Sequence, residues 1–321
     1  MIPIRDTLPS RNRPVVTQAI IGLNVLVFLL QMAQGNEVGR FVYIYGLVPA
    51  RYVVPELKAY FSPAQQVFSF VSFMFLHGGF FHLLFNMWSL YIFGDNVEDR
   101  LGPIRYLIFY LLCGIASGLF HLVTNIYSNV PTIGASGAIA GVMGAYFILH
   151  PGARILTLIP IIFIPWFVEI PAFIFLGVWF LLQLLNAAGS QGAGGIAWWA
   201  HIGGFIFGIV FLKLALKIPT AGLTEHIKPY TARKKSHRLQ VIHPGGAGDD
   251  PNLYGTIELT PVEAYLGARK IVNIPWGFQK RLVKVTVPPG MENGKMLKLS
   301  GMGKVTSNGQ RGDLLLKVRV G

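Results

Sequence analysis

A serine and a histidine in apolar surroundings are the residues of this chain best suited to chemistry. Ser136 stands in Gly134-Ala135-Ser136-Gly137 at the head of one apolar run, and His201 stands about five residues into another. A hydroxyl hydrogen-bonded to an imidazole is an activated nucleophile. Attack on a carbonyl also needs donors for the oxyanion that develops. His82 and Asn86 lie four residues apart in a third run, so one helical face carries both, and each can donate toward a cavity. The free N–H groups of a helix start around Gly134, Ala135 and Ser136 supply further donors, with the helix dipole behind them. Each residue has an ordinary alternative use: Ser136 as interhelical glue, His201 as partner of a neighbouring backbone carbonyl, Asn86 as a bond between helices.

The elements that must position these groups are spans. Of 321 residues, 53% are hydrophobic and 13% charged, and the mean hydropathy is +0.53, outside the soluble range. Apolar runs predict six membrane helices: Val15 to Ala33, Gly78 to Phe93, Ile104 to Val123, Ser136 to Leu149, Val168 to Leu185 and Ile196 to Leu214. The expected class is an α-helical polytopic membrane protein, a six-helix bundle, with a small all-β domain after it. Phe61 to Leu76 is apolar but begins after Ser62-Pro63, so it either lengthens span two or lies in the interface; the favoured reading is a partly buried loop. The first span lacks a small-residue cleavage site of signal-peptide type and reads as retained.

The formal charge of +13 gathers in the N-terminal tail (Arg5, Arg11, Arg13), in loops and after Leu214. That distribution suits anionic lipid headgroups and not nucleic acid. The stretches from Thr124 to Gly134 and from Asn186 to Gly195 contain no lysine or arginine. By the positive-inside rule they face outward, and both termini are cytoplasmic, in a plasma membrane of bacterial type. Spans two, four and six then run from outside to inside, and His82, Ser136 and His201 all fall within one or two turns of the outer surface. Gly137, Gly141 and Gly144 in span four and Gly204 and Gly208 in span six form small-residue stripes that let these helices pack closely.

No acid lies in spans four or six near that level, so the pair reads as a dyad without a third member. Glu169 is expected to snorkel at the start of span five, and Asp95, Glu98, Asp99 and Arg100 to orient the loop to span three. His77 reads as interfacial, and His121 and His150 as residues of span ends that need no function. Cys113 reads as a packing residue; one cysteine permits no internal disulfide. No metal or cofactor is expected.

His77-Gly78-Gly79 with His82 and Asn86, Gly134-Ala135-Ser136-Gly137, and Ala200-His201-Ile202-Gly203-Gly204 with Gly208 together resemble the rhomboid family of intramembrane serine proteases, over roughly Val15 to Lys217. The resemblance implies Ser136 as nucleophile, His201 as general base, and an oxyanion held by His82, Asn86 and the Ser136 amide. It also implies that the substrates are single-span membrane proteins cut near the outer face, with span five as a lateral gate. Many bacterial members have Trp-Arg about eight residues before the His-Gly-Gly set, where this chain has Phe68-Ser69, so the support of the first loop departs from the pattern. The glycine-rich segment Ala187 to Gly195 reads either as a flexible cap or as a plain connection. A catalytically inactive relative that only binds membrane helices is the rival reading.

The expected domains are 1–217 for the membrane unit, 218–251 for a basic and then Gly/Asp-rich linker, and 252–321 for the β domain. In the last, strands are expected at Tyr254 to Leu259, Arg269 to Ile274, Leu282 to Val287, Met296 to Leu299 and Leu314 to Val320. Val-Pro-Pro-Gly-Met at 287 to 291, Leu-Ser-Gly-Met-Gly-Lys at 299 to 304 and Gly312-Asp313-Leu314-Leu315 resemble the C-terminal β domain of DnaJ-type co-chaperones. His-Pro-Asp and a cysteine-rich module are both missing from the sequence, so a full co-chaperone is not implied. The resemblance implies either a peptide or protein partner for this domain or a stabilising role.

Overall fold

Long apolar runs without internal proline become helices, and among the described residues four are long and apolar enough to cross a membrane: Val15–Met32 (α1), Pro103–Thr124 (α6), Ala172–Gly189 (α8) and Trp198–Lys217 (α9). The computed structural model describes residues 1–10, 12–161, 164–189, 197–218, 239–242, 244–246, 250–274, 282–305 and 309–321. It divides into two units, Met1–Arg233 and Lys234–Gly321.

Between α1 and α6 the chain forms Val38–Tyr45 (α2), Pro55–Tyr60 (α3), Pro63–Ser72 (α4) and Phe80–Leu101 (α5). Phe61 to Leu76 is therefore mostly helix and not loop. Ser62 and Gln65 form a reciprocal capping box with Pro63 in the first turn, a start signal present in the sequence. The segment Pro63–Phe75 meets α5 at a bend of 79°. Ser136–Leu149 (α7) has 14 residues, about 21 Å against a hydrocarbon core of about 30 Å.

Span five begins later than its hydropathy suggests. Arg154–Ile161 (β2) and Ile164–Pro171 (β3) form an antiparallel hairpin, and Ile2–Asp6 (β1) pairs with β2 on its other edge. Glu169 lies opposite Leu156 in this hairpin, so it does not start a helix as expected. The N-terminal tail, for which the sequence suggested no element, is likewise partly a strand.

Within the acidic cluster at the end of α5, Glu98 and Asp99 hold the start of the first helix. Glu98, 3% exposed, accepts from the Val16 and Thr17 amides at 2.9 and 2.8 Å and from the Thr17 hydroxyl at 2.8 Å, while Asp99 accepts from the Asn12 amide at 3.0 Å. A carboxylate at a helix start meets unpaired N–H groups and the positive dipole end together. We expect Glu98→Ala to destabilise the protein by about 2 to 4 kcal/mol, because buried donors lose their acceptor. Glu98→Gln should cost roughly half as much; unfolding titrations in detergent micelles measure both, and equal stability of all three proteins would refute this role. Gly102, at φ +80°, makes the one-residue turn from α5 into α6, which a side chain would strain.

The centre of the unit is built by α5, α6, α7 and α9. Leu90, Phe93, Tyr106, Tyr110, Cys113 and Tyr146 are buried there, which agrees with a packing role for Cys113. The first loop is supported from within: Arg51, fully buried, donates to the Ile44 and Gly46 carbonyls and lies 4.7 Å from the Phe61 ring centre. Ser69 binds the Tyr52 hydroxyl at 2.6 Å, so the position that departs from the Trp-Arg pattern still ties this loop down.

In the second unit, Leu253–Leu259 (β5), Leu314–Val320 (β9) and Met296–Leu299 (β8) form one sheet, with β5 parallel to β9. Leu239–Val241 (β4), Ala268–Asn273 (β6) and Leu282–Val287 (β7) form the other. The stretch read as linker thus contributes a strand. Ile257, Val272, Val285, Leu314 and Leu316 make its core. A short helix not expected from the sequence, Pro261–Leu266 (α10), is capped by Thr260 and Glu263. Glu263 also pairs with buried Lys270 at 2.8 Å.

Candidate active site

The head of α7 is set by its neighbours. Leu47 and Thr132 exchange backbone hydrogen bonds at 3.0 and 2.8 Å, and the Gly134 amide donates to the Phe73 carbonyl at 2.9 Å, so the first loop pins the strand-like approach to the helix. Gly134 has φ +126°, and a Cβ there would come within 2.9 Å of His82 Nε2. Only glycine meets both conditions. Ser136 is the first residue of α7, with the unpaired amides of a helix start beside it.

Backbone contact joins α7 to α9. A Cβ on Gly204 would overlap the Gly137 carbonyl oxygen, and one on Gly208 would overlap that of Gly141. A Cβ on Gly144 would overlap the Phe205 carbonyl, and one on Gly137 would overlap Ser117 of α6. The stripe of α9 is therefore used against α7, and that of α7 against both α6 and α9.

That contact brings His201 Nε2 to 2.8 Å from Ser136 Oγ. The pair opens on a cleft of about 760 Å³ lined by His82, Asn86, Gly134, Ser136, Ala200 and His201, with Trp179 and Trp198 also on its walls. The Trp179 and Trp198 ring centres lie 6.0 and 6.1 Å from the imidazole. Met1 and Pro3 also reach the cleft, and the Trp88 indole donates to the Pro3 carbonyl at 2.6 Å, which places β1 along α5.

The other expected residues differ in detail. His82 faces the cleft and accepts from the Gly78 amide through Nδ1 at 3.2 Å. Asn86 lines the cleft too, but its amide donates to the His82 carbonyl of its own helix at 3.0 Å and not across helices. His77 is fully buried rather than interfacial. Its backbone exchanges two hydrogen bonds with the Gln31 side chain, at 2.6 and 3.1 Å, which ties the end of α1 to the turn before α5. His121, in the last turn of α6 as expected, is also a buried wall of the cleft. Most of the glycine-rich cap, residues 190–195, lies outside the described residues. No cluster of metal-ligating residues occurs among the described residues.

Sequence reasoning missed Gln183. It lies on α8, 6% exposed, and its Oε1 is 2.8 Å from His201 Nδ1. The signal was available, since a lone amide in an apolar span faces inward for a reason, but only acids were sought as a third member.

The architecture and its site define a helical membrane protein with a serine and an imidazole paired on adjacent spans. Residues 64–218 match the Rhomboid domain and residues 214–321 the DnaJ C terminal domain. The membrane unit thus carries a Rhomboid domain, and a DnaJ C-terminal domain follows it in the sequence. It is similar to Rhomboid protein 1, mitochondrial, of Saccharomyces cerevisiae, with 31% identity over 201 residues, covering 60% of this chain and 51% of that one. It is also similar to Rhomboid protease GluP of Bacillus subtilis, 29% over 225 residues, 66% and 37% of the two chains. Inactive RHOMBOID-like protein 8 of Arabidopsis thaliana matches at 39% over 70 residues, 22% and 19% of the two. The chain spans about half the length of the yeast relative, and less of the other two. The family thus includes both proteases and inactive members.

Proposed function

We propose that this protein is an intramembrane serine endopeptidase acting on single-span membrane proteins. The observation that carries the reading is the 2.8 Å bond between Ser136 Oγ and His201 Nε2 at a cleft within a bundle of apolar helices. Ser136 Oγ attacks the scissile carbonyl carbon while its proton passes to His201 Nε2. Negative charge collects on the carbonyl oxygen, and we assign its reception to His82, Asn86 and the amides of Ala135 and Ser136, the Gly134 amide being held by the Phe73 carbonyl. The imidazolium then gives its proton to the leaving amine, and water, activated by the same imidazole, releases the acyl group. Glycine contacts along Gly137, Gly141, Gly204 and Gly208 hold the helices at the required separation. By charge bias the site lies near the outer face, both termini are cytoplasmic, and basic loops contact anionic lipid.

A serine-directed fluorophosphonate tests the reading on the reconstituted protein. It should label Ser136 stoichiometrically, and a single-span substrate peptide should slow the labelling. Absence of labelling at Ser136 would favour the binding-only alternative, which the similarity to an inactive relative keeps in play.

The DnaJ C-terminal domain supports a role in recruiting an extended peptide or a protein partner. Removing residues 239–321 should change which substrates are cut while leaving the Ser136 labelling rate within about twofold. Loss of labelling would instead assign the domain to stability of the chain.

A further inference from the structure

We infer that Gln183 is the positioning residue that sets the tautomer of His201, a role that rests on the hydrolytic reading above. The Gln183 side chain has two fixed neighbours. Its amide nitrogen donates to the Trp179 carbonyl one turn earlier on α8, at 3.2 Å, and its Oε1 faces His201 Nδ1 at 2.8 Å. Turning the amide over would set oxygen against the Trp179 carbonyl oxygen, two acceptors with no proton between them. The Trp179 carbonyl therefore decides which end of the amide meets the imidazole, and the end that meets it can only accept.

An acceptor at Nδ1 requires the proton to be on Nδ1. In the neutral ring that leaves the lone pair on Nε2, which points at Ser136 Oγ. This is the one neutral tautomer able to take the hydroxyl proton; with the proton on Nε2, the ring can only donate to Oγ. The same amide oxygen keeps its bond when the ring becomes imidazolium, and that bond strengthens once the donor is charged. Gln183 thus does two tasks that a carboxylate does in serine hydrolases with a third member, orienting the base and favouring its charged form, without placing a second charge among apolar helices. The titratable groups that act on His201 are His82 of α5 and His121 of α6; neither donates to nor accepts from its ring in the structure.

Three measurements separate this role from simple helix packing. Gln183→Met keeps the length and apolar contact of the side chain and removes the acceptor. We expect kcat on a reconstituted single-span substrate to fall about 10- to 100-fold with KM unchanged. Gln183→Glu keeps an acceptor, so it should retain more activity than Gln183→Met, and its acid limb should move to higher pH because a nearby carboxylate favours the imidazolium. The third readout needs no turnover: with 15N-labelled histidine, His201 identified by its loss in His201→Ala should show a protonated Nδ1 and an unprotonated Nε2. Wild-type kcat and pH profile in Gln183→Met would overturn the proposal, as would an Nε2-protonated ring in the wild type. A wild type that cuts nothing but shows the Nδ1-protonated ring would count against the hydrolytic reading while upholding the Gln183 assignment.

Discussion

Ser136→Ala should lower cleavage of a reconstituted single-span substrate by about 10^4- to 10^6-fold, and His201→Ala by a comparable factor. The two residues act as one unit: without Oγ there is no acyl-enzyme, and without Nε2 the hydroxyl keeps its proton. The double variant should accordingly be no slower than either single one, because the second change removes nothing the first has left. Neither replacement should unfold the protein. Ser136 Oγ and the imidazole edge face the cleft, and the helix contacts beneath them are made by glycine backbone. Matching unfolding midpoints for the three proteins would establish that the lost turnover is chemical. Cleavage at the wild-type rate by either variant would refute the dyad.

The second large effect is expected from one carbon atom placed elsewhere. Gly204→Ala puts a methyl group where the Gly137 carbonyl oxygen already is. Atoms in van der Waals contact need about 3.5 Å, so α7 and α9 would have to part by about 1 Å or more at this level. Overpacking of this kind costs about 1 to 3 kcal/mol, and here the neighbour is backbone, which yields less than a side chain would. The Ser136 to His201 bond, 2.8 Å in the structure, would lengthen past hydrogen-bond range. We expect turnover to fall at least about 100-fold together with a lower unfolding midpoint. Gly22→Ala, at a helix position with open space around it, is the control and should leave both unchanged. An active Gly204→Ala variant of normal stability would mean that the stripe is not what sets the distance.

Much of this arrangement was legible in the sequence, because spans, stripes and intramembrane polar residues each obey a strong solvent rule. The start of α7 at Ser136 coincides with the expected one, and three of the expected β-domain strands have the expected ends. The hairpin Arg154–Pro171 was misread in part because its strands are apolar on both faces. Without alternation, a strand and the start of a helix look alike by hydropathy. The helix Pro63–Ser72 is announced by its capping box, yet Ser62-Pro63 reads as opening a loop. Glu98 was noticed as a charge, but its partners are 81 and 82 residues away in sequence, a distance that no local pattern encodes. Gln183 escaped for a different reason: as a third member it has the role of an acid without the charge of one.

The close contact of α7 and α9 also fixes the angle between them. Gly204 meets Gly137 one residue from Ser136 and three residues from His201, Gly208 meets Gly141 one turn further along, and Gly144 meets Phe205. Backbone contacts spread over about two turns leave no single point about which one helix can rock against the other. The reacting atoms stand at the end of a clamp and not on a hinge.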